Sequence, residues 1–352
     1  MLRLDNAGDV ILTGPTLRAL RAALPHSELM MVASPNGAAA AKLLPWVDDV
    51  VIWRALWQDA TGDLPFDPAR EFAFIDQLRS LRADAALILT SFSQTPFAAG
   101  YACYLAGIPI RIGHESMFGG GVLSHPIGGP APDHQADRNA HLLRRLGMAL
   151  AGEHLEVRVP APAIDAMRRR LRGAGIAECE PIVVAPGASC SARRYDPVRF
   201  GRAAAELASR TGRAVIVIGT AAERPLAGAV LASVPDAVDL VGSTSIAESA
   251  AIIASAGVVL ANNSLALHLA DAFRRPIVVT YAGTEREAEW RPRAAPHALL
   301  RVETSCSPCR QFECPFDGHP CLDIAPERVV QAAVELLGDG APTTNRASDP
   351  DR

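Results

Sequence analysis

The sequence predicts an α/β protein made of two parallel-sheet domains in tandem. Three observations carry that prediction. Short apolar, β-rich runs alternate with alanine- and leucine-rich stretches of helical length through almost all of the 352 residues. Near residue 160 the alternation is broken by EVRVPAPA (residues 156–163), which has the proline content of a linker. The same rhythm then restarts, and a chain of this length suits two domains that each bury a core.

In chain order, the opening LRL leads into a helix over residues 13–24, stopped by Pro25. ELMMVA (28–33) and DVVIW (49–53) read as strands, 70–81 as a helix, DAALIL (84–89) as a strand and 96–106 as a helix. IPIRIG (108–113) gives a short strand. Residues 119–133 are rich in Gly and Pro and read as a loop, and a helix over 137–146 follows. In the second half PIVVAPG (181–187) is a strand and turn, 197–209 a helix, AVIVIG (214–219) a strand and 221–233 a helix. AVDLVG (237–242), a helix over 245–255, GVVLANNS (257–264), a helix over 264–273 and RPIVVTYAG (275–283) continue the pattern. Such alternation implies right-handed crossovers and sheets covered on both faces. The expected division is 1–160 and 161–325, then a helix over 326–337 and a polar, disordered tail over 338–352.

Hydrophobic residues make up 49% and charged residues 20%, as in a globular chain, and the net charge is −4 with arginine far outnumbering lysine. A nucleic-acid binder would show a basic excess instead. Arg3 and Asp5 stand where a secretory signal needs an apolar core, and no run reaches the roughly 20 apolar residues of a membrane span. The expectation is a cytoplasmic protein, with peripheral contact to the inner membrane face allowed.

No G-x-G-x-x-G follows a strand, and neither a P-loop nor a G-x-S-x-G elbow occurs. In open α/β sheets ligands sit beyond the carboxyl ends of strands, so the strand-to-helix turns hold the candidates. Four turns stand out. In DNAGD (5–9), Asp9 is either a helix cap or a base. In APGASCSARRYDP (185–197), Ser189, Ser191, Arg193 and Arg194 offer hydroxyls and guanidinium groups to a diphosphate, or form a solvated loop. In LANNSLALHLADAF (260–273), Asn262, Asn263 and Ser264 cap a helix whose N-terminus suits an anion. His268, one turn on, either joins that site or is structural. The fourth is C-x2-C-x4-C-x6-C, which brings four of the seven cysteines (Cys306, Cys309, Cys314, Cys321) into one segment. In a cytoplasmic chain it reads as a structural zinc or iron site or as a set of small buried or partly oxidised thiols.

With these turns placed, the chain resembles glycosyltransferase family 9, which includes the ADP-heptose:lipopolysaccharide heptosyltransferases. The likeness runs over roughly residues 1–337. RLDNAGDVILTGPTLRALRAALP is similar to the family's opening strand, Gly-Asp turn and first helix. PGASCSARRYDPVRF resembles its Gly-Ala-Ser…Lys/Arg-x-Trp-Pro segment, with Tyr195 in place of Trp. ANNSLALHLADAFRRPIVVTYAGT resembles its Asn-(Asp/Asn)-(Ser/Thr)-Gly-x-x-His-Leu-Ala segment, and CSPCRQFECPFDGHPCLDIAPERVVQAAVELL its cysteine-bearing C-terminal stretch.

The resemblance implies a GT-B fold, two facing Rossmann-like domains with the active site in the cleft between them. Acceptor would bind mainly to the N-terminal domain and nucleotide-sugar donor, an ADP-sugar first, to the C-terminal one. It implies inverting transfer to a glycan or glycolipid acceptor, with no cofactor required for catalysis. Asp9 would be the base. Ser189 and Arg193 would contact the diphosphate, and Asn263, Ser264 and His268 would form the phosphate-binding helix start. Glu223 and Thr244 fall where ribose and base contacts are expected. The sequence departs from the family at Asn263, where Asp is frequent, and at Leu265, where glycine is usual. Many members also carry several residues before RLDN, so a start upstream of Met1 is an expectation. Two alternatives remain open: a nucleotide-sugar epimerase of similar architecture, and an inactive nucleotide- or glycan-binding homologue.

Overall fold

Residues 1–59, 62–176 and 180–338 are described in a computed structural model. They fall into two compact units. The first comprises Met1–Pro160 with Asp271–Phe273 and Arg286–Ala294; the second holds Ala161–Ala270, Arg274–Glu285 and the chain from Ala295 onward. The polar tail over 339–352 lies outside the described residues.

The first unit carries strands β1 (Leu2–Arg3), β2 (Met30–Ala33), β3 (Asp49–Ile52), β4 (Ala85–Ile88), β5 (Ile110–His114) and β6 (His125–Ile127). They form one parallel sheet in the order β3-β2-β1-β4-β5-β6. The second unit carries β7 (Ile182–Ala185), β8 (Val215–Val217), β9 (Val238–Asp239), β10 (Val258–Asn262), β11 (Ile277–Thr280) and β12 (His297–Leu300). Its parallel sheet runs β12-β11-β10-β7-β8-β9, the same winding as the first read from the other edge. In each sheet the chain starts in the middle, winds outward to one side, then crosses back to the other. The order reverses between β1 and β4 and again between β7 and β10, the positions where doubly wound sheets open a crevice for ligand.

The central strands of the second sheet are fully covered apolar runs. All four residues of β7 and all five of β10 are buried, as a sheet with helices on both faces requires. Helix ends follow local chemistry. Helix Pro197–Thr211 starts at Asp196, whose carboxylate accepts from Val198 N at 2.8 Å, and stops at Gly212 in the left-handed region (φ 66°). Tyr195 is fully buried, meets the Phe200 ring edge-on at 4.8 Å and donates its hydroxyl to Ile324 O at 2.7 Å. That bond ties the C-terminal stretch to the second core, onto which helix Pro326–Leu337 also packs through Val329, Val330 and Ala333.

The structure corrects several element expectations. The stretch expected as a loop over 119–133 contains β6, an edge strand, and Pro126 is tolerated there because an edge does not need every N–H. The helix expected over 221–233 divides into a 3-10 turn, Ala221–Glu223, and a helix, Arg224–Leu231. Helices Pro35–Ala41 and Ala161–Gly173 and strand β12 went unforeseen.

Candidate functional site

In the first unit, polar residues converge beyond the carboxyl ends of β1 and β4, at the reversal of strand order. Arg3, the last residue of β1, has no exposed surface, although it carries a charge. Its Nη2 donates to Asp9 Oδ1 at 2.9 Å and to Ser91 Oγ at 2.9 Å, and its Nε lies 3.1 Å from Asp5 Oδ2. A guanidinium buried so completely is tolerable only because two carboxylates share it. Ser91 Oγ in turn donates to Asp9 Oδ1 at 3.4 Å. Asp5 Oδ1 accepts from Gln94 Nε2 at 2.6 Å. Burial pushes the Asp5 carboxyl above its ordinary range, against the pull of Arg3.

Asp9 is not itself the N-cap of its helix. Asn6 takes that position before helix Ala7–Ile11, and Asp9, three residues in, accepts from Asn6 N at 3.2 Å through Oδ2. The two readings of Asp9 are therefore compatible. Its Oδ2 completes the helix start while Oδ1 is oriented by Arg3 and Ser91, and the side chain keeps 15% of its surface exposed.

In the second unit, the turns after β7, β10 and β11 meet. Arg193 donates through Nη1 to Ser189 Oγ at 3.1 Å and through Nη2 to Glu285 Oε1 at 2.6 Å. The other oxygen of Glu285 accepts from Asn263 Nδ2 at 3.0 Å. Asn262 is an internal brace. Its Oδ1 accepts from Tyr195 N at 3.0 Å and Thr280 Oγ1 at 2.8 Å, and its Nδ2 donates to Pro186 O at 2.8 Å. Ser264 and Leu265 are half-buried at the start of helix Leu265–Ala272, and His268 lies buried one turn on.

Glu223 sits over the β7 turn. A Cβ on Gly187 would come within 1.7 Å of Glu223 Oε1, so a side chain there would have to displace the Glu223 carboxylate. The Glu223 carboxylate also accepts from Thr220 N at 2.7 Å and Thr220 Oγ1 at 3.0 Å. Thr244 pairs with Ser249 Oγ at 2.9 Å, away from the Arg193–Glu285–Asn263 set. Ser189, Arg193 and Asn263 are thus brought together through Glu285, which the sequence reading missed, as it missed Arg3 and Ser91. A signal for Glu285 existed: it follows the apolar run of β11 through a glycine, at a strand's carboxyl end.

Cys306, Cys309, Cys314 and Cys321 are free thiols that line one cavity of about 250 Å³. Cys306 is exposed and faces Thr304 Oγ1 at 3.4 Å, whereas Cys321 is buried, with its thiol pushed upward chiefly by burial. Among the described residues no group of three or more His, Cys, Asp or Glu side chains is arranged to hold a metal ion. The zinc or iron expected at these cysteines is therefore unsupported. No helix among the described residues is long and apolar enough to cross a membrane.

The model of glycosyltransferase family 9 (heptosyltransferase) matches residues 72–319, well over half of the chain. The chain belongs to glycosyltransferase family 9. Among curated relatives of this family-9 chain, the lipooligosaccharide heptosyltransferase 2 of Campylobacter jejuni is 27% identical over 161 residues, 43% of this chain and 49% of the relative. The chain thus spans about half the length of the curated relatives it matches. Solved structures extend the likeness in fold. The ADP-heptose LPS heptosyltransferase II of E. coli superposes with a TM-score of 0.74 at 19% identity, covering 96% of this chain and 97% of that one. A family 9 glycosyltransferase of Veillonella parvula gives 0.77 at 18% identity, covering 96% of each. The fold class of this family-9 protein is accordingly α/β of the GT-B type, with two Rossmann-like sheets.

Proposed function

We propose that this family 9 protein is an inverting, metal-independent glycosyltransferase that moves a heptose from an ADP-sugar to a cell-envelope glycan of the lipopolysaccharide-core type. The observation that carries this reading is the pair of polar clusters at the two strand-order reversals. One holds a carboxylate on a buried arginine, and the other holds an arginine, a serine and an asparagine beside a helix start. The first is suited to removing a proton and the second to receiving a diphosphate.

In this reading the N-terminal unit serves the acceptor and the C-terminal unit the donor. Asp9 accepts the proton of the acceptor hydroxyl as that oxygen attacks the anomeric carbon. The bond from that carbon to the diphosphate oxygen breaks, and the leaving nucleoside diphosphate carries the new negative charge. Arg193, the Ser189 hydroxyl and the N-terminus of helix Leu265–Ala272 stabilise that charge in place of a divalent cation. Asn263, Ser264 and His268 shape the same end of the site, with Glu223 and Thr244 assigned to the nucleoside. Leu265 is the residue that tests the fit, because its side chain stands where family members present bare backbone. The proposed place of action is the cytoplasm, where nucleotide-sugars are made, at the inner membrane face.

A thermal-shift screen against ADP-, UDP-, GDP- and dTDP-sugars tests the donor assignment. Ligand at a hundred times its Kd stabilises by about 2.7 kcal/mol. A rise in Tm with ADP-heptose and ADP, and none with the others, is the expected result. A rise with another nucleotide alone removes the ADP assignment, and no rise with any of them overturns the donor site.

A further inference from the structure

We infer that Glu285 is a positioning residue, which fixes Arg193 and Asn263 in the orientation that receives the donor diphosphate. The inference rests on the donor site proposed above. Glu285 is 7% exposed, and each of its carboxylate oxygens is used by a different turn. Oε1 holds Arg193, from the turn after β7, and Oε2 holds Asn263, from the turn after β10. Three adjacent strands, β11-β10-β7, are thereby joined at their carboxyl ends by one side chain.

The backbones on either side of this bridge are themselves fixed, and by one segment. Cys309 N donates to Gly283 O and Arg310 N to Thr284 O, both at 3.0 Å, immediately before Glu285. Two residues further, Phe312 O accepts from Ala192 N at 3.0 Å and from Ser191 Oγ at 3.2 Å, immediately before Arg193. Residues 309–312 therefore strap the turn that carries Glu285 to the turn that carries Arg193. This gives the cysteine-bearing segment a mechanical task that needs no metal.

The chemistry of the bridge has a definite sign. A carboxylate beside an anion site repels the anion, so Glu285 weakens the resting affinity for diphosphate. What it supplies is order. Arg193 loses its rotamer freedom before the donor arrives, and its fork is aimed in advance at the charge that develops on departure. Such a residue acts more on turnover than on binding. Removing its charge should leave donor affinity equal or tighter and lower kcat.

The test compares wild type with Glu285→Gln, which keeps an acceptor for Asn263, Glu285→Ala, and Glu285→Asp as the conservative variant. The expected result is a kcat at least tenfold lower in Glu285→Ala, a smaller loss in Glu285→Gln and partial recovery in Glu285→Asp. The donor KM should stay within threefold of wild type or fall. A residue with only a structural role would lower Tm and the active fraction while leaving kcat per active site intact, and that outcome overturns the inference. Guanidinium rotation at Arg193, measured by NMR in the full chain without ligand, supplies a readout free of turnover. Restricted rotation in wild type that is released in Glu285→Gln supports the hold, even if no ADP-sugar binds and the donor assignment fails. Equal rotation in both overturns it, whatever the donor proves to be.

Discussion

Asp9→Asn is expected to lower kcat by about 10²- to 10⁴-fold, the range over which a positioned general base contributes. The substitution removes the proton acceptor and leaves most of its surroundings in place. Arg3 keeps Asp5 as a charged partner, and an amide oxygen can still accept from Arg3 or from Asn6 N. The fold should therefore survive, and Asp9→Ala should behave similarly with a larger loss in Tm. Donor Kd should not change, because Asp9 is assigned to the acceptor. Initial rates under saturating donor, with Tm and donor Kd measured on the same preparations, separate these effects. Undiminished transfer by either variant removes Asp9 from the role of base.

The second large effect is on stability. Arg3→Met removes the cation that two carboxylates share while nearly preserving its volume. Breaking a buried ion pair by deleting one partner typically costs about 3–5 kcal/mol, because the remaining charge is left uncompensated. Asp5, already pushed up by burial, loses the pull of Arg3, keeps only that of the Gln94 hydrogen bond, and rises further. The sign with pH follows from linkage. A carboxyl whose pKa is higher folded than unfolded contributes stability at low pH that is lost as pH rises through its folded pKa. The deficit of Arg3→Met relative to wild type should thus be largest near pH 7 and shrink as the pH falls toward about 4. Adding Asp5→Asn to Arg3→Met should recover part of it. Urea denaturation across pH reads all three chains. A deficit below 1 kcal/mol at neutral pH, or one that grows as the pH falls, contradicts the account of the cluster.

The architecture was legible because most strands announce themselves. β7, β10 and β11 are β-branched apolar runs bounded by Pro, Gly or Asn, and two-sided burial makes such runs unmistakable. What escaped lies where that signal is diluted. β6 is three residues, His-Pro-Ile, inside a glycine-rich stretch, and β12 reads HALL; both are edge strands, with one neighbour and partial exposure. Helix Pro35–Ala41 is too short and too uniformly alanine-rich to show a period, although Ser34 and Pro35 mark its start. Helix Ala161–Gly173 was concealed by the prolines at its beginning.

The candidate site divides in the same way. Asp9, Arg193 and Asn263 stand in turns that a strand-end search finds directly. Arg3 was passed over because a charged residue in a short strand gives no hint that its guanidinium will turn back upon Asp5 and Asp9. Ser91 lies 82 residues from Asp9 and Glu285 lies 92 from Arg193, so only the strand order brings them together. The cysteine spacing pointed to a metal through local pattern alone. What the fold makes of this segment are backbone bonds of Cys309, Arg310 and Phe312, which no spacing rule encodes.

The most direct measurement is the configuration of the product. Wild-type protein is incubated with ADP-heptose and a lipopolysaccharide-core acceptor in buffer containing EDTA, and the product is examined by NMR. The account predicts one new glycosidic linkage per ADP released, with the anomeric configuration opposite to that of the donor and no donor consumed when acceptor is omitted. Retained configuration, or donor converted equally well without acceptor, would contradict it.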